Sequence, residues 1–230
     1  EILDRTDKWV YIRTFFDDYE GWIDHKQFIE IDADTCTQFN NSQSILGLSI
    51  LHPILNLHTN ETIHVVAGSS LPDVSDGKFQ INNVQYQLQS SVVKPDQKKI
   101  ASEVIASAKF YLNAPYLWGG RSPFGIDCSG FTQLVFKQFG FPLKRDTYLQ
   151  AEQGTLVNFL EEAKAGDLAF FDNDGGRIIH VGIMINNAQI IHASGKVRID
   201  SMDNQGIFNE EQKCYTHKLR IVKRMTDNES

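Results

Sequence analysis

The spacing of apolar residues changes at Lys94-Pro95-Asp96, and a chain with two such spacings folds as two kinds of layer rather than one. Ahead of that point lie short runs of β-forming residues: Trp9-Val10-Tyr11-Ile12-Arg13, Gly21-Trp22-Ile23-Asp24, Thr62-Ile63-His64-Val65-Val66 and Val84-Gln85-Tyr86-Gln87-Leu88. Turn-forming residues at Asp17-Asp18, Asn40-Asn41-Ser42, Ser75-Asp76-Gly77 and Asn82-Asn83 separate them, the pattern of small antiparallel barrels. Behind it, residues 97–112 carry Ile100, Val104, Ile105, Ala108 and Tyr111 at helical spacing. A domain boundary is therefore expected near Pro95.

After a loop over residues 113–127 comes an apolar segment, 128–139, closed by Gly140 and expected to be a core helix. Strand candidates follow at 167–171, 178–185, 189–193 and 219–222, each rich in β-branched or aromatic residues. Helices first and strands after predict an α+β domain.

Composition removes several function classes. A net charge of −7 without a Lys/Arg cluster argues against nucleic-acid binding, and an acidic surface suits ligands that carry a free amine. The 3 cysteines, Cys36, Cys128 and Cys214, form neither a disulfide framework nor a Cys-x-x-Cys zinc pair. The apolar runs are short against the roughly 20 residues that a membrane-spanning helix needs. Glu1-Ile2-Leu3-Asp4-Arg5 lacks the basic-then-apolar order of a secretory signal, so a cytoplasmic protein, or one whose leader was removed, is expected.

A thiol attacks as thiolate, and a helix N-terminus favours that form through its unpaired N–H groups. Cys128 opens the core helix, and the small residues of Asp127-Cys128-Ser129-Gly130 leave room for a substrate backbone and for N–H groups aimed at an oxyanion. Residues 178–185 and 189–193 form a candidate hairpin. A three-residue loop at Asn186-Asn187-Ala188 pairs Gly182 with His192 and puts His180 and His192 on one face, whereas a two-residue loop separates them. Thiol, base and orienter are the parts that acyl transfer requires.

Tyr116-Leu117-Trp118-Gly119-Gly120, then Pro123 and Asp127-Cys128-Ser129-Gly130-Phe131, resemble the signature of the NlpC family of papain-like peptidoglycan peptidases. Gly166-Asp167-Leu168-Ala169-Phe170-Phe171, His180-Val181-Gly182-Ile183 and Ile191-His192-Ala193 are similar to its remaining blocks, in order, over about residues 97–222. The resemblance implies Cys128 as nucleophile, His180 as general base, His192 as the polar third member and Tyr116 beside the reacting carbonyl, with no cofactor. Asp18-Tyr19-Glu20-Gly21-Trp22-Ile23 resembles the bacterial SH3-like barrels that precede such domains. The expected order is a barrel over 1–36 whose early strands are missing, a second divergent barrel over 37–94, and a catalytic domain over 95–230. Two-barrel members resemble gamma-D-glutamyl-L-diamino acid endopeptidases, which implies murein peptides of the type L-Ala-gamma-D-Glu-diamino acid as substrates.

Within that frame Asp146 of Arg145-Asp146-Thr147 matches a segment whose acidic residue binds the free amine of L-alanine; a helix N-cap ahead of Tyr148 is its other role. Tyr19 is a second candidate for that amine pocket, or an ordinary barrel aromatic. Asp127, Ser129 and Thr147 are candidates for substrate hydrogen bonds, though Ser and Thr also start helices. His25, His52, His58, His64 and His217 share no spacing with acidic or cysteine partners, so no metal site is expected. An inactive wall-binding module and an amidase or acyltransferase on the same fold are the alternatives.

Overall fold

The computed structural model describes residues 1–42 and 44–226, which divide into two compact units between Pro95 and Asp96. In the first unit β1 (Ile2–Arg5), β2 (Trp9–Arg13) and β3 (Glu20–Asp24) form an antiparallel sheet, so two strands precede Phe15. Helix α1 (Ala33–Asn41) follows where a turn at Asn40-Asn41 was expected, and the expected boundary between residues 36 and 37 falls inside it. Asp32 caps this helix by accepting from the Thr35 N–H at 2.7 Å, which offsets the poor helix propensity of its Asn and Thr residues. Strands β4 (Ile45–Leu46), β5 (His52–Asn56), β6 (Thr62–Val65), β7 (Lys78–Ile81), β8 (Val84–Leu88) and β9 (Val92–Val93) pair as a four-stranded sheet, β6-β5-β8-β7, and a β4-β9 ladder. Leu46, Ile54, Leu71, Phe79 and Leu88 fill their core. Asn82 and Asn83 make the β7-β8 turn, Asn82 taking a φ of 52°, which Asn tolerates better than most residues.

The second unit begins with α2 (Ile100–Lys109), which buries Ile100, Val104 and Ala108. A small hairpin, β10 (Arg121–Ser122) and β11 (Gly125–Ile126), leads into α3 (Cys128–Lys137), whose residues are buried from Cys128 through Phe136; the short α4 (Thr147–Gln150) follows. The remaining strands are β12 (Thr155–Val157), β13 (Leu168–Asp172), β14 (Ile178–Asn186), β15 (Gln189–Ser194), β16 (Lys196–Asp203), β17 (Gly206–Asn209) and β18 (Cys214–Arg224). They form one antiparallel sheet in the order β12-β18-β13-β14-β15-β16-β17, and a further β17-β18 pairing closes β13 to β18 into a small barrel. Closure removes the exposed edges that an open sheet of this size would carry.

Alternation along the strands builds two cores. Leu168 and Phe170 join Val104, Phe131, Val135 and Ile183 in the core shared with α2 and α3. Ala169 and Phe171 point the other way and join Met184, Ile190, Met202 and Ile207 inside the barrel. Burial of each large side chain contributes roughly 1.5–3 kcal/mol, so a helix dipole and a sheet face are held in fixed register. Among the described residues, no helix is long and apolar enough to cross a membrane.

Candidate active site

Asp127 sets the start of α3. Its carboxylate accepts from the Gly130 N–H at 2.7 Å and the Gly119 N–H at 2.8 Å. Arg145 donates to both of its oxygens, at 3.1 and 2.6 Å, and to the Ser129 hydroxyl at 2.8 Å. These bonds occupy Asp127 and Ser129 in capping and bracing the helix, where substrate contacts were expected. Gly119 adopts a φ of +80°, and a Cβ on Gly120 would lie 2.4 Å from the Gly125 carbonyl, so the glycine pair permits this crossing.

The first residue of α3 is Cys128, 6% exposed, with the Thr147 hydroxyl 3.8 Å from its sulfur. Burial raises the Cys128 thiol above its ordinary range, and hydrogen bonds from Thr147 and from the backbone N–H groups of Val181 and Ser129 pull it down by less. The expected lowering at the helix terminus is thus outweighed by desolvation, and the resting sulfur is a thiol. The Val181 contact docks β14 against the start of α3, and His180 is its neighbour in that strand. Tyr116, 38% exposed, lies close enough for the charges of Cys128 and Asp127 to add to burial in raising its phenol.

Gly182 pairs with His192, as a three-residue loop would have it, but the geometry differs: the turn is two residues, Asn187-Ala188, and a bulge between Met184 and Asn186 restores the register. His180 and His192 therefore share a face. His180 Nε2 lies 2.8 Å from His192 Nδ1, and His192 Nε2 lies 2.9 Å from Asp200 Oδ2. Arg198 grips Asp200 through Nε at 2.7 Å and Nη2 at 2.8 Å, and these bonds with that from His192 outweigh burial and hold the carboxyl below its usual range. A carboxylate on His192 Nε2 requires the proton there; in the neutral pair Nδ1 then accepts from His180 Nε2–H. His180 Nδ1 is left with a free lone pair, the form a base needs. Burial, with His192 and His217 adjacent, pushes His180 well below the ordinary histidine value.

His217 on β18 stacks on His180 at a centroid distance of 4.1 Å and 29° between planes. Burial lowers it to about 4. It was expected to stand apart from the chemistry, and the expectation that no metal ligands cluster needs the same amendment, because His180, His192 and His217 each offer a nitrogen within 4.8 Å of the others. Asp200, Arg198 and His217 carry no local motif; the barrel closure that gathers them is set by pairings distant in sequence. Asp146 stands at the N-cap of α4 without a side-chain capping bond. Tyr19 is 44% exposed in the first unit. Cys36 and Cys214 are exposed and free.

A thiol at a helix start, a neutral imidazole on the facing sheet and a second imidazole behind it define a domain of the papain-like cysteine peptidase class. The NlpC/P60 family matches residues 113–216. The chain is 40% identical over 124 residues to a gamma-D-glutamyl-L-lysine dipeptidyl-peptidase of Bacillus subtilis, covering 51% of this chain and 42% of that protein. It is 26% identical over 219 residues to dipeptidyl-peptidase 6 of Lysinibacillus sphaericus, covering 86% of this chain and 78% of that one. A crystal structure of an NlpC/P60 family protein from Bacillus cereus superposes with a TM-score of 0.79 at 23% identity, covering 98% of this chain and 78% of the other. Residues 113–216 of the chain form an NlpC/P60 domain. The chain spans less than half the length of the Bacillus gamma-D-glutamyl-L-lysine dipeptidyl-peptidases that it matches.

Proposed function

We propose that the chain is a cysteine endopeptidase that hydrolyses the gamma-D-glutamyl-L-diamino acid bond of peptidoglycan stem peptides with a free N-terminal L-alanine. The observation that carries the reaction type is the 2.8 Å contact of His180 with His192, which leaves His180 Nδ1 as the proton acceptor on the strand docked against Cys128. Sulfur attacks the D-glutamyl side-chain carbonyl while the thiol proton passes to Nδ1, which pairs deprotonation with bond formation in a site where the thiolate is disfavoured. The N–H at the start of α3 donates a hydrogen bond to the oxygen on which negative charge develops. The imidazolium, stabilised through His192 by the Asp200 carboxylate, gives its proton to the departing amine. Water then attacks the thioester as His180 takes a proton from it; the carbon–sulfur bond breaks, the sulfur regains a proton from His180, and the peptide leaves as the free acid.

Two relatives are named for gamma-D-glutamyl-L-lysine cleavage, which supports the bond chosen. The free-amine requirement rests on Asp146, a carboxylate without a capping bond one residue before Thr147, the residue that touches the sulfur. An ammonium group seated on it loses several kcal/mol of binding when either charge is removed. An SH3-like assignment for the first unit is part of the same reading, carried by its short antiparallel ladders. Mass spectrometry of products from L-Ala-gamma-D-Glu-diaminopimelate and its L-lysine counterpart, each free and N-acetylated, tests it. Cleavage at the gamma-glutamyl bond of the free peptides only is expected, with Asp146→Asn raising KM more than it lowers kcat. Equal cleavage of acetylated peptide would remove the amine pocket; no cleavage of either would leave a wall-binding module.

A further inference from the structure

Three imidazoles meet within ring contact of one another, and the relay uses only two of them. His217 Nδ1 lies 2.9 Å from the Thr216 hydroxyl, which leaves its Nε2 for another partner. We propose that His180 Nε2, His192 Nδ1 and His217 Nε2 form a reversible inhibitory site for zinc or a similar divalent transition ion. Imidazole suits such ions, and three histidines with one open position make a common tetrahedral set. One nitrogen of each of the three rings lies within 4.8 Å of one of each of the others, and the His180–His192 separation of 2.8 Å needs to widen by only about half an ångström to span two bonds of about 2.0–2.1 Å.

The surroundings of His192 fit the role. A ligating histidine commonly donates its other N–H to a carboxylate, which fixes the ring and strengthens it as a ligand. Asp200 accepts from His192 Nε2 at 2.9 Å and is itself clamped by Arg198, so the ring is already in the tautomer that offers Nδ1. His217 is the member that has to move: its ring stacks on His180 and must turn to aim a lone pair at the ion. It is also the most accessible of the three, which gives the ion a way in.

Inhibition follows from His180, and this step rests on the reading of that residue as base. An ion on Nε2 displaces the proton there to Nδ1 of the same ring. No proton is released overall, but Nδ1 has lost the lone pair that would take the proton of the Cys128 thiol. The ion therefore silences the base without touching the sulfur.

Zinc titrated by calorimetry into the full chain, with cobalt(II) absorption as a second readout, tests the site. One ion per chain is expected, with a visible tetrahedral cobalt band and no sulfur-to-cobalt charge transfer. His217→Phe keeps an aromatic ring against His180 and removes the third nitrogen; it should weaken binding by at least about tenfold, and His217→Gln should do the same if the Phe variant unfolds. Cys128→Ser should bind within about threefold of the parent, because sulfur is not a ligand. Peptide cleavage should fall along the zinc binding curve and return on chelation. Absence of stoichiometric binding, unchanged affinity in both folded His217 variants, or a strong sulfur band would overturn the site. If zinc binds with this variant pattern and the chain cleaves no peptide, the metal site stands and the peptidase reading fails.

Discussion

Cys128 and His180 rest as thiol and imidazole because both are buried, and the same burial makes their protonation states a source of pH dependence in stability. A histidine titrates near 6.5 in an unfolded chain, while His180 lies well below that and His217 at about 4. Between the folded and unfolded values the unfolded chain binds more protons, so stability is full above about pH 6.5 and falls as pH drops. His180 alone contributes a slope of up to about 1.4 kcal/mol per pH unit in that window. Thermal unfolding should therefore give a clearly lower Tm at pH 5 than at pH 7.5, and His217→Phe should narrow the gap; equal Tm values would contradict neutral burial. Turnover should rank the relay by distance from the proton. His180→Ala loses at least about a hundredfold in kcat/KM, with smaller losses for His192→Ala and smaller again for Asp200→Asn. Wild-type turnover in Asp200→Asn would take that carboxylate out of the relay. Cys128, His180 and His192 were legible as candidates because each sits in a local block, whereas Asp200 and Arg198 are an ordinary charged pair along β16 until the fold sets His192 beside them.

At the level of elements, the start of α3 shows why the sequence block around Cys128 has its residues. Gly130 is helical, where Ala ordinarily gains about 0.8–1.0 kcal/mol in propensity. Here a Cβ would lie 2.5 Å from the Gly120 carbonyl and 2.9 Å from Asp127 Oδ1. Backbone cannot yield cheaply, so Gly130→Ala should destabilise by about 1–3 kcal/mol against its propensity, and it should lower turnover because the cap that aims Cys128 is disturbed. A Tm at or above the parent's would show that the crossing relaxes. The hairpin was legible only in part for a similar reason: side-chain period gives the pairing, but a bulge at Ile185 is invisible to periodicity and decides whether a two-residue turn puts the histidines together. Helix α1 escaped notice because its polar, Asn- and Thr-rich sequence reads as turn, and only the Asp32 cap and its packing make it helical.

The division of the whole molecule was visible at Pro95 because the apolar period changes there, while barrel closure depends on β18 pairing with strands on both sides, which no local pattern encodes. Closure has an energetic consequence that a truncation can measure. Every member of the two cores built around α3 and the barrel lies beyond Pro95, and every member of the third core lies before it. A unit with its own core unfolds as its own cooperative block. A fragment of residues 96–230 should therefore express folded, unfold in a single transition, and reproduce one of two transitions seen by calorimetry in the full chain. Its Cys128 site, assembled from α3, α4 and β14 to β16, should remain complete, so kcat on a small gamma-glutamyl amide should stay within about threefold of the full chain. A fragment that is unfolded on its own, or a full chain that melts in one transition with twice the fragment's enthalpy, would show that the first unit contributes to the stability of the second.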